Sequence, residues 1–227
     1  MCIRDRGADS LRTKISNNIT RYSKSTELNS YGSRFKYSKF LKLIDDSDRS
    51  ITSNITRIQI RRDLSTILNT FVEYEICFGN EFYPQKSDGF NIKSSGFKVS
   101  GINEIVYLTD IPDPEMQTGK IVLFTISGPT GTSIIRSNVG TVDYVKGEIN
   151  LYPINITSTS IQKGTPIIEI SATPKSNDII GLQDLYLQLD VNKSTLNMIS
   201  DEISSGSDSS GTNYTVTSSY NNGDLVR

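Results

Sequence analysis

The sequence predicts an α+β chain dominated by β-structure, with two short N-terminal helices leading into a mainly antiparallel, multi-stranded region. Three observations carry this. Apolar residues recur at spacings of three and four as far as residue 44, the period changes to two from Ser53, and short alternating runs separated by Gly, Pro, Asp and Ser fill most of the rest. The expected organisation is a helical segment over 7–50, a β-rich domain over 51–190, and a C-terminal loop with a final strand over 191–227.

Asp9 or Ser10 can cap a first helix in which Leu11, Ile15, Ile19 and Tyr22 form one apolar stripe. Asn29-Ser30-Tyr31-Gly32 interrupts the pattern. Ser38 can then cap a second helix carrying Tyr37, Phe40, Leu41 and Ile44 along one side. These stripes read first as core, and second as a face for a neighbouring protein.

In the β region, Ile58 and Ile60 alternate with Arg57, Gln59 and Arg61, and Val72, Tyr74, Ile76 and Phe78 alternate with Glu73, Glu75 and Cys77. The opposite charges of their outer faces suggest that these two strands pair antiparallel. Further strands are expected over 96–100, 104–109, 120–126, 133–138, 141–145, 148–152 and 165–172. Another is expected over 179–189, with Leu185, Leu187 and Leu189 in alternation. Asp110-Ile111-Pro112-Asp113-Pro114 reads as a connection without regular structure. Residues 139–149 read as a hairpin turning at Lys146-Gly147, where Gly supplies a positive φ. A Ser/Gly loop over 204–213 precedes a last strand around Tyr214, Val216 and Tyr220.

Composition argues against catalysis. The chain contains no His and no Trp, which removes the side chain that titrates near neutral pH and the commonest metal ligand. Its two cysteines, Cys2 and Cys77, are too few for a Cys-rich zinc site and too far apart for a redox CxxC pair. Cys77 reads as a small hydrophobe within its strand. No apolar run approaches membrane-spanning length and no signal-peptide pattern opens the chain. No cofactor, metal, membrane or small-molecule substrate is expected. Residues 1–70 hold 14 Lys/Arg against 7 Asp/Glu, but the basic residues are scattered and lack interleaved stacking aromatics, so no nucleic-acid partner is expected.

Met1-Cys2-Ile3-Arg4-Asp5-Arg6 reads as translated sequencing-adapter read-through and is set aside. On that reading the chain is the C-terminal portion of a longer metagenomic one.

Three motifs invite chemical readings. Asp45-Asp46-Ser47-Asp48 is the densest carboxylate cluster, but it lacks the Gly and the distant Glu of a calcium loop and reads as a turn after the second helix. Gly128-Pro129-Thr130-Gly131-Thr132-Ser133 lacks the Walker lysine and reads as a loop between strands. The sequons beginning at Asn18, Asn54, Asn155, Asn192 and Asn213 are what an Asn- and Thr-rich chain contains by chance.

The run from Glu27 through Tyr31-Gly32-Ser33-Arg34-Phe35-Lys36-Tyr37-Ser38-Lys39-Phe40, continuing to Asp45-Asp46-Ser47-Asp48 and Ser50-Ile51-Thr52-Ser53-Asn54, resembles the gene-six baseplate wedge subunit of T-even-like contractile-tailed phages. This family belongs to the baseplate J-like group. The hairpin at Val139-Gly140-Thr141-Val142-Asp143-Tyr144 and the stretches 199–206 and 214–220 also look like that family's C-terminal portion. The resemblance implies a virion protein of the tail baseplate, made in the host cytoplasm, that links adjacent wedge subunits into the ring around the tail hub. It implies self-association as a homodimer or higher oligomer, contacts with other wedge proteins, and no catalytic residues. Phe35, Tyr37, Phe40, Ile44 and Tyr144 are the candidate interface residues. The competing expectation is a carbohydrate-binding or host-recognition β module of a tail fibre, suggested by Ser/Thr/Asn-rich loops and by Tyr144, Tyr152, Tyr214 and Tyr220. An enzyme would need a carboxylate cleft, for which the 45–48 cluster is the only candidate.

Overall fold

A computed structural model describes residues 8–84, 90–128, 131–182 and 186–199, together with the backbone at 2–3, 200, 220–221 and 224–225. The chain divides into two units. One gathers the residues up to Ser23, Lys39–Ile55 and the segment beginning at Asp190, and the other holds Lys24–Ser38 and Thr56–Leu189.

In the first unit, helix α1 (Ala8–Ser23) buries Leu11, Ile15, Ile19 and Tyr22, the stripe expected from their spacing. At sixteen residues it is longer than a short helix. Helix α2 (Tyr37–Asp45) buries Phe40 and Ile44 and enters this unit from Lys39 onward. The rings of Tyr22 and Phe40 lie 5.8 Å apart, so the two apolar stripes meet. Helix α2 starts one residue before the expected Ser38 cap. The Tyr37 N–H is satisfied by Oδ1 of Asp178 at 2.7 Å, a cap supplied from far along the chain and invisible to local spacing. Cys2–Ile3, set aside on sequence grounds, pairs antiparallel with Ile51–Ser53 and parallel with Ile199–Ser200.

The second unit is β-rich and antiparallel. Its main strands are β1 (Ile60–Ser65), β2 (Phe71–Cys77), β3 (Tyr107–Pro112), β4 (Thr118–Ser127), β5 (Gly131–Asp143), β6 (Glu148–Ser158) and β7 (Thr165–Ala172). The larger sheet has the order β2-β6-β5-β4-β3, with Lys98–Val99 also pairing with β6. The smaller sheet places β7 between Ser160–Gln162 and β1, and Lys93–Ser94 pairs with β7 as well. The inward parity of the larger sheet carries Tyr74, Ile76, Leu108, Ile121, Leu123, Val142, Ile149 and Leu151. These pack in one cluster with Ile168 and Ile170 of the smaller sheet. Each such aliphatic side chain contributes about 1.5–3 kcal/mol through burial.

Several expectations need correction. β1 and β2 do not pair with each other: β1 pairs with β7 and β2 with β6. The charge match invoked for them is made elsewhere, because Arg61 reaches Asp63 at 3.0 Å and Glu169 of β7 at 3.7 Å. The segments 133–138 and 141–143 belong to a single strand, β5, whose register shifts twice against β4, and Tyr144 and Val145, expected in a strand, lie in the turn that follows it. β6 runs on past Tyr152 because Pro153 falls where its register with β2 shifts, between Leu151 and Ile154. A bulge tolerates the missing N–H and brings Leu151 and Ile154, three residues apart, onto the same buried face. Asp110 and Pro112, expected in an irregular connection, lie in β3, with Pro112 ending that edge strand. Gly131, Thr132 and Ser133 begin β5, while Pro129 and Thr130 lie outside the described residues. Among the described residues of 179–189, only Ile179–Ile180 forms a strand, paired with Arg34–Phe35. Leu187 and Leu189 have no regular structure and Leu185 lies outside the described residues. So do the Ser/Gly loop over 204–213, Tyr214 and Val216; Tyr220–Asn221 pairs with Asp224–Leu225.

The hairpin over 139–149 forms as expected. Gly147 adopts φ +70°, and its Cα approaches the backbone of Asn80 so closely that a Cβ would collide with the Asn80 carbonyl oxygen.

Candidate functional site

The block that carried the resemblance is split between the units, Glu27–Ser38 falling in the β-rich one and Lys39–Asn54, with the acid run, in the helical one. The acid run is a structural turn. Ser47, 4 % exposed, donates its hydroxyl hydrogen to the Leu43 carbonyl at 2.8 Å and accepts from Nδ2 of Asn18 at 2.8 Å. Asp48, also buried, accepts from Nζ of Lys14 at 3.0 Å, from the Ser50 N–H at 3.1 Å and from the Ser50 hydroxyl at 3.0 Å. Asp45 accepts from Nδ2 of Asn54. The carboxylates thus tie α1 and α2 to the Ile51–Ser53 strand, the local hydrogen-bonding role that Asp favours at such turns.

The candidate interface residues divide between the two units. Phe40 and Ile44 are buried in the helical unit. Phe35 and Tyr144 are buried in the β-rich unit, where Phe35 pairs with Ile179. Tyr37 is half-buried and donates its hydroxyl hydrogen to the Thr56 carbonyl at 2.8 Å. Of the tyrosines named for carbohydrate binding, Tyr144 is inside the core and Tyr152 is exposed. Tyr214 lies outside the described residues, and Tyr220 is described only in its backbone. An exposed aromatic pair not foreseen from sequence is Tyr31 with Tyr186, edge to face at 6.3 Å.

Sequence reading also missed the buried carboxylate of Asp110. It takes the inward parity of Leu108, is fully buried, and accepts from the Ile92 N–H at 2.6 Å and from the Tyr144 hydroxyl at 2.6 Å. Burial pushes its carboxyl above the ordinary range, opposed by those hydrogen bonds. Tyr144 is raised as well, by burial first and then by the neighbouring Asp110. Asn91, also buried, donates to the Tyr83 and Thr173 carbonyls and accepts from the Thr173 N–H at 2.6 Å. The pattern is that of polar struts in a core. The acid in an apolar alternation at Leu108 and Asp110 was the available signal.

Among the described residues, Glu75, Cys77 and Glu148 form the group whose metal-capable atoms lie within 4.8 Å of one another. It sits on the outer face of β2 and β6, where Cys77 is directly opposite Glu148. Burial, then Glu75 and Glu148, push the thiol up, so it is held protonated; Arg62, whose guanidinium donates to the Cys77 carbonyl, pulls the other way. A protonated thiol beside a competing guanidinium is a poor metal ligand.

No helix among the described residues is long and apolar enough to cross a membrane. No curated protein matches the chain. Residues 4–63 match the family described as baseplate structural protein gp6, C-terminal domain III. The matched stretch contains α1, α2 and the Asp45-to-Asp48 turn and ends within β1. The hairpin and C-terminal stretches that also entered the resemblance lie beyond it. This match supports a gp6-type baseplate wedge protein, with a structural role in the phage tail baseplate.

Proposed function

We propose that this protein links adjacent wedge subunits into the ring around the tail hub of a contractile-tailed phage. It does so by associating with itself, as a homodimer or higher oligomer, and by contacting other baseplate wedge proteins. Assembly takes place in the host cytoplasm, and no catalysis, cofactor or nucleic acid is involved. The family match over residues 4–63 is the observation that carries this reading. Within that segment, Phe40 and Ile44 are buried in the helical unit and Phe35 in the β-rich one, and the half-buried Tyr37 is the member of the candidate set left to meet a neighbour. Tyr144 supports the hairpin over 139–149 inside the β-rich unit.

Co-expression of the tagged chain with the other wedge proteins of the same tail, followed by size-exclusion chromatography, tests the reading. Co-elution in a complex larger than the monomer is the expected result. A chain that stays monomeric at high micromolar concentration and co-elutes with no wedge protein overturns it.

A further inference from the structure

The outer face of the larger sheet is acidic where β2 and β6 meet. The outward positions of β2 are Phe71, Glu73, Glu75 and Cys77, and those of β6 begin with Glu148 and Asn150. Glu148 stands directly opposite Cys77, and Asn150 opposite Glu75. Between the pairs Tyr74–Leu151 and Val72–Ile154, Glu73 alone on β2 faces Tyr152 and Pro153, the exposed residues of the bulge. Two aromatic side chains therefore border Glu73, Phe71 at 68 % and Tyr152 at 44 % exposure. Neither strand contains a Lys or Arg. Among the described residues Glu73, Glu75 and Glu148 make no ion pair. Asp143, opposite Glu148, is compensated by Lys146 Nζ at 3.9 Å and by the N–H groups of Val145 and Lys146. Arg62 reaches this edge from β1, but its guanidinium donates to the Cys77 carbonyl.

Two independent features of this face specify the same ligand chemistry. Like charges in direct register, as at Asp143 and Glu148, cost a sheet stability unless a cation meets them. Exposed aromatic rings attract an ammonium or guanidinium over their faces. Guanidinium answers both best, because it bonds carboxylates through a planar fork and stacks on aromatic rings. The extent of the face sets the kind of occupant. From Glu73 to the Cys77–Glu148 pair is about 13 Å along the strands, four residues at ~3.3 Å each, which suits several side chains of one segment and not a single ion. An extended segment repeats its side chains at the spacing that separates Glu73 from Glu75. A second copy offering this same face would set carboxylates against carboxylates, so the charge disfavours a self-contact here.

We propose that the outer face of β2 and β6 docks an arginine-bearing extended segment of another baseplate wedge protein, its cations meeting Glu73, Glu75 and Glu148 beside Phe71 and Tyr152. This rests on the wedge contacts proposed above and assigns one of them to a surface outside the family-matched segment.

Titration of the full chain with a short alternating Arg-Ser peptide and with its Gln-Ser counterpart, together with the wedge-protein co-elution, tests it. The Arg-Ser peptide is expected to bind, to slow alkylation of Cys77 as read by peptide mapping, and to be released at high salt. The Gln-Ser peptide is expected to do none of these. A Glu73→Gln, Glu75→Gln, Glu148→Gln variant is expected to bind the Arg-Ser peptide about tenfold or more weakly, and to hold at least one wedge protein more weakly. An Asp46→Asn, Glu104→Gln, Glu115→Gln variant removes the same charge from exposed positions elsewhere and is expected to bind like wild type. Tyr152→Leu keeps an apolar side chain without the ring and is expected to weaken peptide binding about two- to fivefold. Equal losses in the two charge variants would mean attraction to carboxylates anywhere on the chain and overturn the proposal. Face variants that bind like wild type, or a Cys77 that the Arg-Ser peptide leaves unprotected, overturn it as well. A wedge complex undiminished by the three Glu→Gln substitutions overturns this contact and leaves the wedge role standing; a wild-type chain that co-elutes with no wedge protein overturns both.

Discussion

The hydroxyl of Tyr144 donates to Oδ2 of Asp110 at 2.6 Å inside the core of the larger sheet, joining the turn after β5 to the edge strand β3. Gly119 lies beneath this bond, and a Cβ there would come within 2.9 Å of the Tyr144 hydroxyl. Tyr144→Phe removes the donor and leaves a buried acceptor short of one partner, at a cost of about 1–3 kcal/mol. Urea denaturation measures the loss; a variant as stable as wild type would show that the bond contributes nothing net.

Asp110 also makes stability depend on pH. Burial, the largest influence, raises its carboxyl in the folded chain. A raised folded pKa means that its contribution is fully present below the unfolded value, about pH 4, and is lost as pH rises through the folded value. The stability advantage of wild type over Asp110→Asn is therefore expected to shrink as pH rises from the acid side. Urea melts of both proteins across that range read the trend, and an advantage that grows with pH contradicts it.

Lys14 and Asp48 are unequal partners, with side chains 52 % and 6 % exposed. Asp48→Ala deprives the Lys14 ammonium and both Ser50 donors of their acceptor and is expected to cost about 1–3 kcal/mol. Lys14→Met removes a half-exposed cation and is expected to cost less, about 0–1 kcal/mol. Equal losses in thermal or denaturant unfolding would show that the ion pair, not the turn, holds these elements.

Cys77 should react slowly. Its thiol is raised by burial and by two glutamates, so alkylation near neutral pH is expected to lag that of an unstructured cysteine peptide. Glu148→Gln is expected to speed it. A Cys77 that reacts faster than the peptide would require a thiolate the geometry does not favour.

Gly147→Ala combines a left-handed backbone with a collision at the Asn80 carbonyl. It is expected to destabilise by more than about 1 kcal/mol, read as a lowered denaturation midpoint.

Both helices were legible in the sequence because Leu11, Ile15, Ile19, Phe40 and Ile44 sit at spacings that only a helix turns to one side. The strand over 165–172 was legible in full for the corresponding reason. Strand partners were not. The charges of Arg61 fit Glu169 as well as they fit Glu73 or Glu75, and sequence holds no distance by which to choose. Pro112 and Pro153 misled in the same way, because local rules exclude Pro from strand interiors while an edge end and a bulge admit it. In the helical unit, the acid turn was legible from residue type alone. The candidate aromatic positions were less so: a half-buried Tyr37 and a buried Phe40 look alike until the packing is seen.

The helical unit is interrupted in sequence by nearly all of the β-rich one, and this has a consequence in time. Ala8–Ser23 and Lys39–Ile55 share their unit with a partner segment that begins only at Asp190. On a ribosome adding roughly 5–20 residues per second, both helices emerge well before that partner is made. The intervening sheets can close first, so the helical unit is begun first and completed last.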